Sequence, residues 1–141
     1  MASESTHRTL SVERVGAGQF AAVNSRGGRI VFGTGADEEF TPTELLLVAI
    51  GGCTAIDIDI ITTRRAEPES FEIVVDADKV RDEIGNHLAN VEITYRIRFP
   101  EGEAGDAARD VLPDAVRKSH DRLCTVGRTV ELPTPIATRI D

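Results

Sequence analysis

The two cysteines of this chain, Cys53 and Cys124, are the residues best suited to redox chemistry. Cys53 follows Gly51 and Gly52 in a long apolar stretch. Two glycines in a helix interior cost about 2 kcal/mol relative to alanine, so we expect a backbone or a ligand to come close beside Cys53. The alternative is that Cys53 is a small core residue, since free cysteine is commonly buried. There is no CxxC pair and no Cys/His cluster at zinc spacing.

The stretch that carries Cys53 predicts a long helix. Thr41 is a good N-cap, Pro42 suits the first helical position, and Glu44 completes a capping box. The sequence is then almost continuously apolar as far as Ile61. A helix that is apolar on all sides is buried on all sides, so we expect a central core helix. Two aspartates interrupt the stretch, and we expect it to be too short for a membrane span.

Strands are predicted on both sides of this helix, because apolar and polar residues alternate there. After them a second helix is predicted from a cap at Asp106 to about Asp121, with a kink or a break at Pro113. The last two long strands should pair around a polar connection, and one or two short strands should end the chain. The predicted strands cover residues 9–15, 19–24, 29–32, 71–79, 91–99 and part of 129–140.

Length and composition indicate one globular domain over residues 1–141, with residues 1–7 as a flexible tail. The formal charge of −8 argues against nucleic acid as a partner, because phosphate binding needs clustered Lys and Arg. The first residues have no apolar core typical of a signal peptide, so we expect a cytoplasmic protein with reduced thiols. In the cytoplasm we expect the two cysteines to be catalytic, metal-binding or inert rather than joined in a permanent disulfide.

Two stretches resemble the signatures of the OsmC/Ohr family, which comprises osmotically inducible protein C and organic hydroperoxide resistance protein. Residues 42–57 are similar to its PxELLLxAxGGCxxxD motif, and residues 119–124 to its serine-to-cysteine signature. The order of elements also matches, and the likeness covers residues 8–140. It implies an α+β, OsmC-like fold of antiparallel sheets packed around a buried central helix, in an intertwined homodimer with two sites at the interface.

The resemblance further implies a thiol-dependent peroxidase of organic or other hydroperoxides. Cys53 would be the peroxidatic nucleophile, and Cys124 the thiol that resolves its sulfenic acid into a disulfide. An external dithiol, whether lipoyl, thioredoxin-like or a small molecule, would then reduce that disulfide. No cofactor and no metal is expected.

Such a peroxidase needs a cation to hold its nucleophile as a thiolate. Arg14 falls on the Leu10 and Val12 side of the first strand, where an arginine points to the core or an interface and wants an anionic partner. If that strand ends one residue earlier, Arg14 is solvated instead. In the family an arginine of the N-terminal strands holds the cysteine, and Arg14 best matches it, with Arg26 and Arg29 next.

Three further residues are candidates for supporting roles. The family peroxidases place an acidic residue directly after the proline, where this chain has Thr43. Glu44 is one residue later, but the capping box alone explains it. Asp57 lies one turn after Cys53 on the same face, as a supporting carboxylate or as a buried acid with a structural partner. His120 is either a proton relay or metal ligand, or a partly exposed residue favourable near a helix C-terminus.

Two other functions are compatible with these residues. In one, the glycine-lined groove with Leu46 and Ile50 binds a small hydrophobic molecule at the dimer interface and the thiols are incidental. The absence of an acidic residue after the proline favours this reading. In the other, Cys53, Cys124 and His120 form a metal or hydrolase site, which lacks a fourth ligand for zinc.

Overall fold

A computed structural model describes residues 6–141 of the chain. Of the predicted flexible tail, residues 1–5 lie outside the described residues, and Thr6 and His7 are exposed without regular secondary structure. The chain forms two compact units, one ending at Leu46 and the other running from Leu47 to Asp141. In chain order the elements are β1 (Leu10–Gly16), β2 (Gln19–Asn24), β3 (Arg29–Gly33), α1 (Pro42–Thr63), β4 (Ser70–Arg81), β5 (Asn86–Arg98), α2 (Glu103–Lys118), a π-helical turn (Ser119–Leu123) and α3 (Thr125–Glu131).

The first unit contains a three-stranded antiparallel sheet in the order β1-β2-β3. All three strands agree with the prediction to within one residue at each end. The rings of Phe20 and Phe32 stack across β2 and β3 with their centroids 6.0 Å apart. Arg14 pairs with Phe20 inside β1, next to an irregularity in the register. The strand therefore does not end before Arg14.

Helix α1 begins as its sequence predicts. The backbone N–H of Glu44 donates to the Thr41 hydroxyl at 3.2 Å, and the Thr41 N–H donates to the Glu44 carboxylate at 2.9 Å. These reciprocal bonds form the capping box and satisfy backbone donors that the first turn of a helix leaves unpaired. Glu44 thus has a structural role at the start of the helix.

The expectation that α1 is buried on all sides is wrong for the single chain. One face is buried through residues spaced four apart, which are Ile50, Thr54, Ile58 and Thr62. Another face is open: Val48 is 51% exposed, Ile56 63% and Ile60 52%. Strand β4 packs on α1 at Gly51, and Ser119 of the π-helical turn bonds to it at Thr54, both of which are on or beside the buried face.

The two adjacent glycines of α1 have different surroundings. A Cβ at Gly51 would lie 2.6 Å from a methyl carbon of Val75 and 3.5 Å from one of Ile73, so Gly51 allows strand β4 to pack closely on the helix. A Cβ at Gly52 would meet nothing within 4 Å. The predicted close approach beside Cys53 is therefore present at the first glycine, and the second lies towards the open face of the helix.

By length and composition, α1 also meets the criterion for a membrane-spanning helix, since it has 22 residues and contains an 18-residue window with a mean hydropathy of 1.9. The expectation that it is too short was wrong. The core helix of a soluble protein satisfies the same test, so this similarity is weak evidence for a membrane.

Strands β4 and β5 pair antiparallel, from Ser70 opposite Arg98 to Arg81 opposite Asn86. The connection between them is a tight turn between Arg81 and Asn86, closed by the N–H of Asp82, which donates to the carbonyl of Gly85. Both strands therefore extend further towards the turn than predicted, and β5 includes His87, whose side chain is exposed. The alternation signal missed this extension because the paired residues near the turn are mostly polar.

Helix α2 starts earlier than predicted and runs without a break through Pro113. Asp106 is not its cap but lies inside it, where it binds Arg109. A proline removes one helical hydrogen bond, and α2 tolerates that loss without dividing into two pieces. A π-helical turn follows α2, in which the N–H of Cys124 reaches back five residues to the carbonyl of Ser119 at 2.8 Å.

The final strand prediction is wrong, since Thr125–Glu131 form helix α3. The sulfur of Cys124 accepts the N–H of Gly127 at 3.2 Å and so caps the helix at its N-terminus. Residues 132–141 have no regular secondary structure. Pro133 and Pro135 remove two backbone donors there, which disfavours a place in a sheet.

Candidate functional site

The two cysteines, distant in the sequence, lie together in the second unit. Cys53 is half-buried on α1, and Cys124 is buried between the π-helical turn and α3. The Cys53 thiol lies near enough to Cys124 to contribute to the raised pKa of the Cys124 thiol. Both thiols are free. The fold thus brings a half-buried and a buried cysteine close together.

Burial raises the pKa of the Cys124 thiol above its ordinary value. The N–H of Gly127 opposes that shift, whereas Cys53 and the charge of Asp57 add to it. A carboxylate close to a thiol disfavours the thiolate, as does removal of water. Cys124 is therefore held as a neutral thiol at neutral pH, which is unsuited to the first attack on a peroxide.

A buried chain of hydroxyl groups connects α1 with the π-helical turn. The Ser119 hydroxyl donates to the carboxylate of Asp57 at 2.8 Å and lies 2.8 Å from the Thr54 hydroxyl, which is 3.0 Å from the hydroxyl of Tyr95. Ser119 has only one proton to donate, and the Asp57 carboxylate can only accept. When Ser119 donates to Asp57, Thr54 donates to Ser119 and Tyr95 to Thr54. This network fixes the turn that leads to Cys124.

A cavity of about 580 Å³ adjoins this network within the second unit. Its wall includes Cys124, Thr54 and Tyr95 together with apolar side chains of α1, β5, α2 and α3, which are Ile50, Val91, Ile93, Val116 and Val130. Exposed charged residues also border it. Cys53 is not among the residues that line it. The two sulfurs of the pair therefore have different surroundings.

His120 lies in the π-helical turn and lines the same cavity as Cys124. Its two ring nitrogens are each 3.0 Å from a carboxylate oxygen, Nδ1 from Asp121 and Nε2 from Glu131 on α3. These bonds, Asp121 first and then Glu131, raise the pKa of His120. Both partners can only accept, so the imidazolium is the form that satisfies both. A protonated ring has no lone pair for a metal ion.

The contact between His120 and Glu131 predicts a pH-dependent link between the turn and α3. Because the folded-state pKa lies above 6.5, this link contributes fully below pH 6.5 and is lost as the pH rises through the folded value. The side chain is 64% exposed, so solvent screening keeps the effect small. In an NMR titration we expect a His120 midpoint above 6.5 that falls in Glu131→Gln and stays unchanged in Glu83→Gln. An equal midpoint in all three proteins would contradict this assignment.

The other predicted site residues are placed as follows. Arg14 is exposed on β1, on the same strand as Leu10 and Val12, which are also exposed. Arg26 lies in the turn after β2 and Arg29 begins β3. Across residues 6–141 there is no group of three or more His, Cys, Asp or Glu side chains that could hold a metal ion.

Three residues of this site were not singled out by the sequence, namely Thr54, Tyr95 and Gly127. Thr54 directly follows Cys53, and the alternation of β5 directs Tyr95 inward, so both gave weak signals. Gly127 gave none, because its role depends on the sulfur of Cys124 capping α3. A Cβ at this position would lie 3.3 Å from that sulfur.

Comparison with known proteins defines the class to which this site belongs. Residues 35–139 match the sequence model of OsmC-like proteins, and the chain belongs to this family. An uncharacterised protein of Mycobacterium tuberculosis is 27% identical over 128 residues, which are 90% of this chain and 91% of that protein. The family prediction is thereby confirmed, and OsmC-like proteins are soluble.

Solved structures share the fold. An OsmC-like protein of unknown function from Vibrio cholerae aligns with a TM-score of 0.72 at 13% identity, over 90% of this chain and 95% of that one. The organic hydroperoxide resistance protein OhrB of Bacillus subtilis aligns with a TM-score of 0.55 at 13% identity, over 89% of this chain and 90% of that one. At these identities the matches show an α+β fold with antiparallel sheets and three helices.

Proposed function

We propose that this protein is a thiol-dependent peroxidase that reduces organic or other hydroperoxides through Cys53 and Cys124. The observation that carries the proposal is that a half-buried Cys53 lies close to a buried Cys124 whose pKa is raised. Because Cys124 is kept neutral, Cys53 is the thiol proposed to attack the peroxide, and Cys124 is the thiol proposed to resolve the sulfenic acid. Membership in a family that includes hydroperoxide-resistance proteins supports the same reaction.

The proposed reaction has two steps on the protein. The Cys53 thiolate attacks the distal oxygen of the hydroperoxide, so that a sulfur–oxygen bond forms, the oxygen–oxygen bond breaks and the alkoxide takes up a proton. The Cys124 thiol then attacks the Cys53 sulfenic acid. A disulfide forms and the hydroxyl leaves as water with the thiol proton. The hydroperoxide is reduced by two electrons, and an external dithiol restores both thiols.

Titration of the reduced protein with an organic hydroperoxide tests this function. We expect about one equivalent of peroxide to remove two thiols per subunit and to form a Cys53–Cys124 disulfide, identified by peptide mass spectrometry. Hydrogen peroxide in a parallel titration shows which oxidant is preferred. Slow loss of the thiols, at the rate of free cysteine in the same buffer, would exclude the peroxidase.

Arg14 is our candidate for the cation that holds Cys53 as a thiolate, supported by its place inside β1 and by the family resemblance. A guanidinium near a cysteine favours the charged form. We expect Arg14→Ala to slow the reaction with hydroperoxide and the alkylation of Cys53 in parallel. Arg26→Ala and Arg29→Ala, which replace the next two candidates, are measured beside it and should react at the wild-type rate if Arg14 has the role. A wild-type rate in Arg14→Ala would assign the role to another residue.

We also propose that two copies of the chain associate through the open face of α1. The proposed location of this dimer is the reducing cytoplasm. Family members are commonly homodimeric. The open face has Val48, Gly52, Ile56 and Ile60 spaced four residues apart, with space at the glycine for a close neighbour. Apolar surface of this kind is stabilised when another apolar face covers it.

A charge on this face should dissociate the proposed dimer. Ile56→Glu places an unpaired carboxylate in the interface and is expected to give a monomer by light scattering at micromolar concentration. Ile84, which is 98% exposed at the tip of the β4–β5 hairpin, supplies the control. Ile84→Glu should leave the mass unchanged. A wild-type protein that is monomeric at every concentration would contradict the proposed association.

The apolar cavity favours a second candidate function, the binding of a small hydrophobic molecule. Ile50, one of the two residues expected to line such a groove, does line the cavity. Leu46 lies in the other unit and is 42% exposed. In this case the thiols would be incidental, and a hydrophobic fluorescent probe would bind equally well after both were alkylated. Failure of the hydroperoxide titration together with such binding would select this function.

A further inference from the structure

We propose that the thiol which reduces the Cys53–Cys124 disulfide enters through the cavity and attacks the sulfur of Cys124, not that of Cys53. The inference rests on the proposed function, because it concerns the disulfide which that function forms. It assigns the cavity as the reductant site. It also assigns the order in which the two sulfurs are released.

The positions of the two cysteines carry the inference. Cys124 lines the cavity, and Cys53 does not. Ile50 and Thr54, three residues before and one residue after Cys53 on α1, both line it. The cavity therefore reaches the face of the helix next to Cys53 and meets the cysteine pair at the Cys124 side. A reductant that fills this space lies against Cys124 and not against Cys53.

The exchange is balanced in two steps. A thiolate of the reductant attacks the Cys124 sulfur, the protein disulfide breaks, and Cys53 leaves as a thiolate. The second thiol of the reductant then attacks its own sulfur in the mixed disulfide and releases Cys124, which takes up a proton. The dithiol loses two electrons and becomes an intramolecular disulfide, and both protein thiols are restored. Cys53 is ready for the next peroxide after the first step.

Charge around the cavity indicates which thiols enter. Three carboxylates border it, from Glu92, Asp121 and Glu131. Two basic side chains also border the cavity. His120 bonds to two of these carboxylates, and Arg117 bonds at 2.6 Å to Asp114, which is outside the cavity. The border thus has an excess of negative charge, so neutral or cationic thiols should enter more readily than anionic ones.

Mapping of the first mixed disulfide tests the site of attack. The protein is oxidised with diamide, which forms the disulfide without any peroxide, and is then treated with cysteamine in excess iodoacetamide. We expect cysteamine on Cys124 and the carbamidomethyl group on the released Cys53. The reverse labelling, or an even distribution, would overturn the inference and leave the peroxidase proposal intact. Absence of a disulfide after diamide would overturn both.

The charge of the attacking thiol provides the second test. The rate at which each of two thiols, cysteamine and 2-mercaptoethanesulfonate, reduces the protein disulfide is measured. Each rate is divided by the concentration of the thiolate form and by the rate of the same thiol with a small neutral disulfide, so that only the effect of the protein remains. We expect cysteamine to be favoured about 25-fold at low salt, because one unit charge about 4 Å from a carboxylate gives a factor of about five in water and the two thiols differ by two unit charges; the ratio should fall as salt is added. Glu92→Gln should reduce the ratio, and Glu83→Gln, away from the cavity, should keep it. Equal corrected rates in the wild-type protein would overturn the inference.

Discussion

Replacement of Cys53 by serine is expected to lower the rate constant for hydroperoxide reduction by at least about 10³-fold, since removal of an enzyme nucleophile costs up to about 10⁶. A serine hydroxyl is almost fully protonated at neutral pH and forms no stable product analogous to a sulfenic acid. The substitution changes one atom on a half-buried residue. Stopped-flow measurement of hydroperoxide loss, with thermal unfolding as the test of folding, gives the comparison.

Cys124→Ser is the matched variant, and it is expected to block the second step of the reaction rather than the first. The first equivalent of hydroperoxide should react at close to the wild-type rate, because Cys53 remains. The reaction then stops at a sulfenic acid, one thiol per subunit is lost, and further peroxide gives sulfinic acid. If the two variants lost the first reaction equally, Cys124 would be part of the attacking machinery and the division of roles proposed here would be wrong.

Gly105→Ala is expected to destabilise the protein by about 3 kcal/mol or more, at the upper end of overpacking effects. Gly105 is buried in the first turn of α2, and a Cβ there would overlap the carbonyl oxygen of Pro100. The obstacle is backbone, which cannot rotate away as a side chain can. For a chain of this size the melting temperature should fall by about 10 °C, measured at fixed protein concentration since association shifts it.

Ala107→Gly provides the control for this prediction. Ala107 is exposed on the same helix, so its replacement removes only helix propensity and should cost about 1 kcal/mol. If space were available at Gly105, alanine there would stabilise the helix by a similar amount. An unchanged or higher melting temperature for Gly105→Ala would contradict the close packing of α2 on the backbone at Pro100.

Local rules explain the parts of this protein that the sequence predicted well. The first three strands and the start of α1 depend on alternation, on turn glycines and on a capping box that four consecutive residues complete. The family signatures around Cys53 and Cys124 were equally visible, because they are short patterns of residue types. These patterns can be recognised without knowing which residues, far away in the sequence, pack against them.

Predictions failed where the deciding contact leaves no recognisable pattern in the sequence. Helix α3 begins because the sulfur of Cys124 caps it, and alternation in 129–140 gave no indication of that bond. The length of β5 follows from pairing with β4 across a tight turn, and polar residues concealed it. The open face of α1 follows from what one chain can cover, which the apolar sequence of the helix does not state.

The sequence by itself determined the family, the order of most elements and the two cysteines proposed for the reaction, since each depends on residue types and short spacings. Only the tertiary structure decided that these cysteines lie close together, that burial and Asp57 keep Cys124 neutral, and that the cavity is lined by Cys124. The physical reason is that desolvation, charge and access depend on every group packed around an atom. Those groups come from α1, β5, the π-helical turn and α3, which only folding brings together.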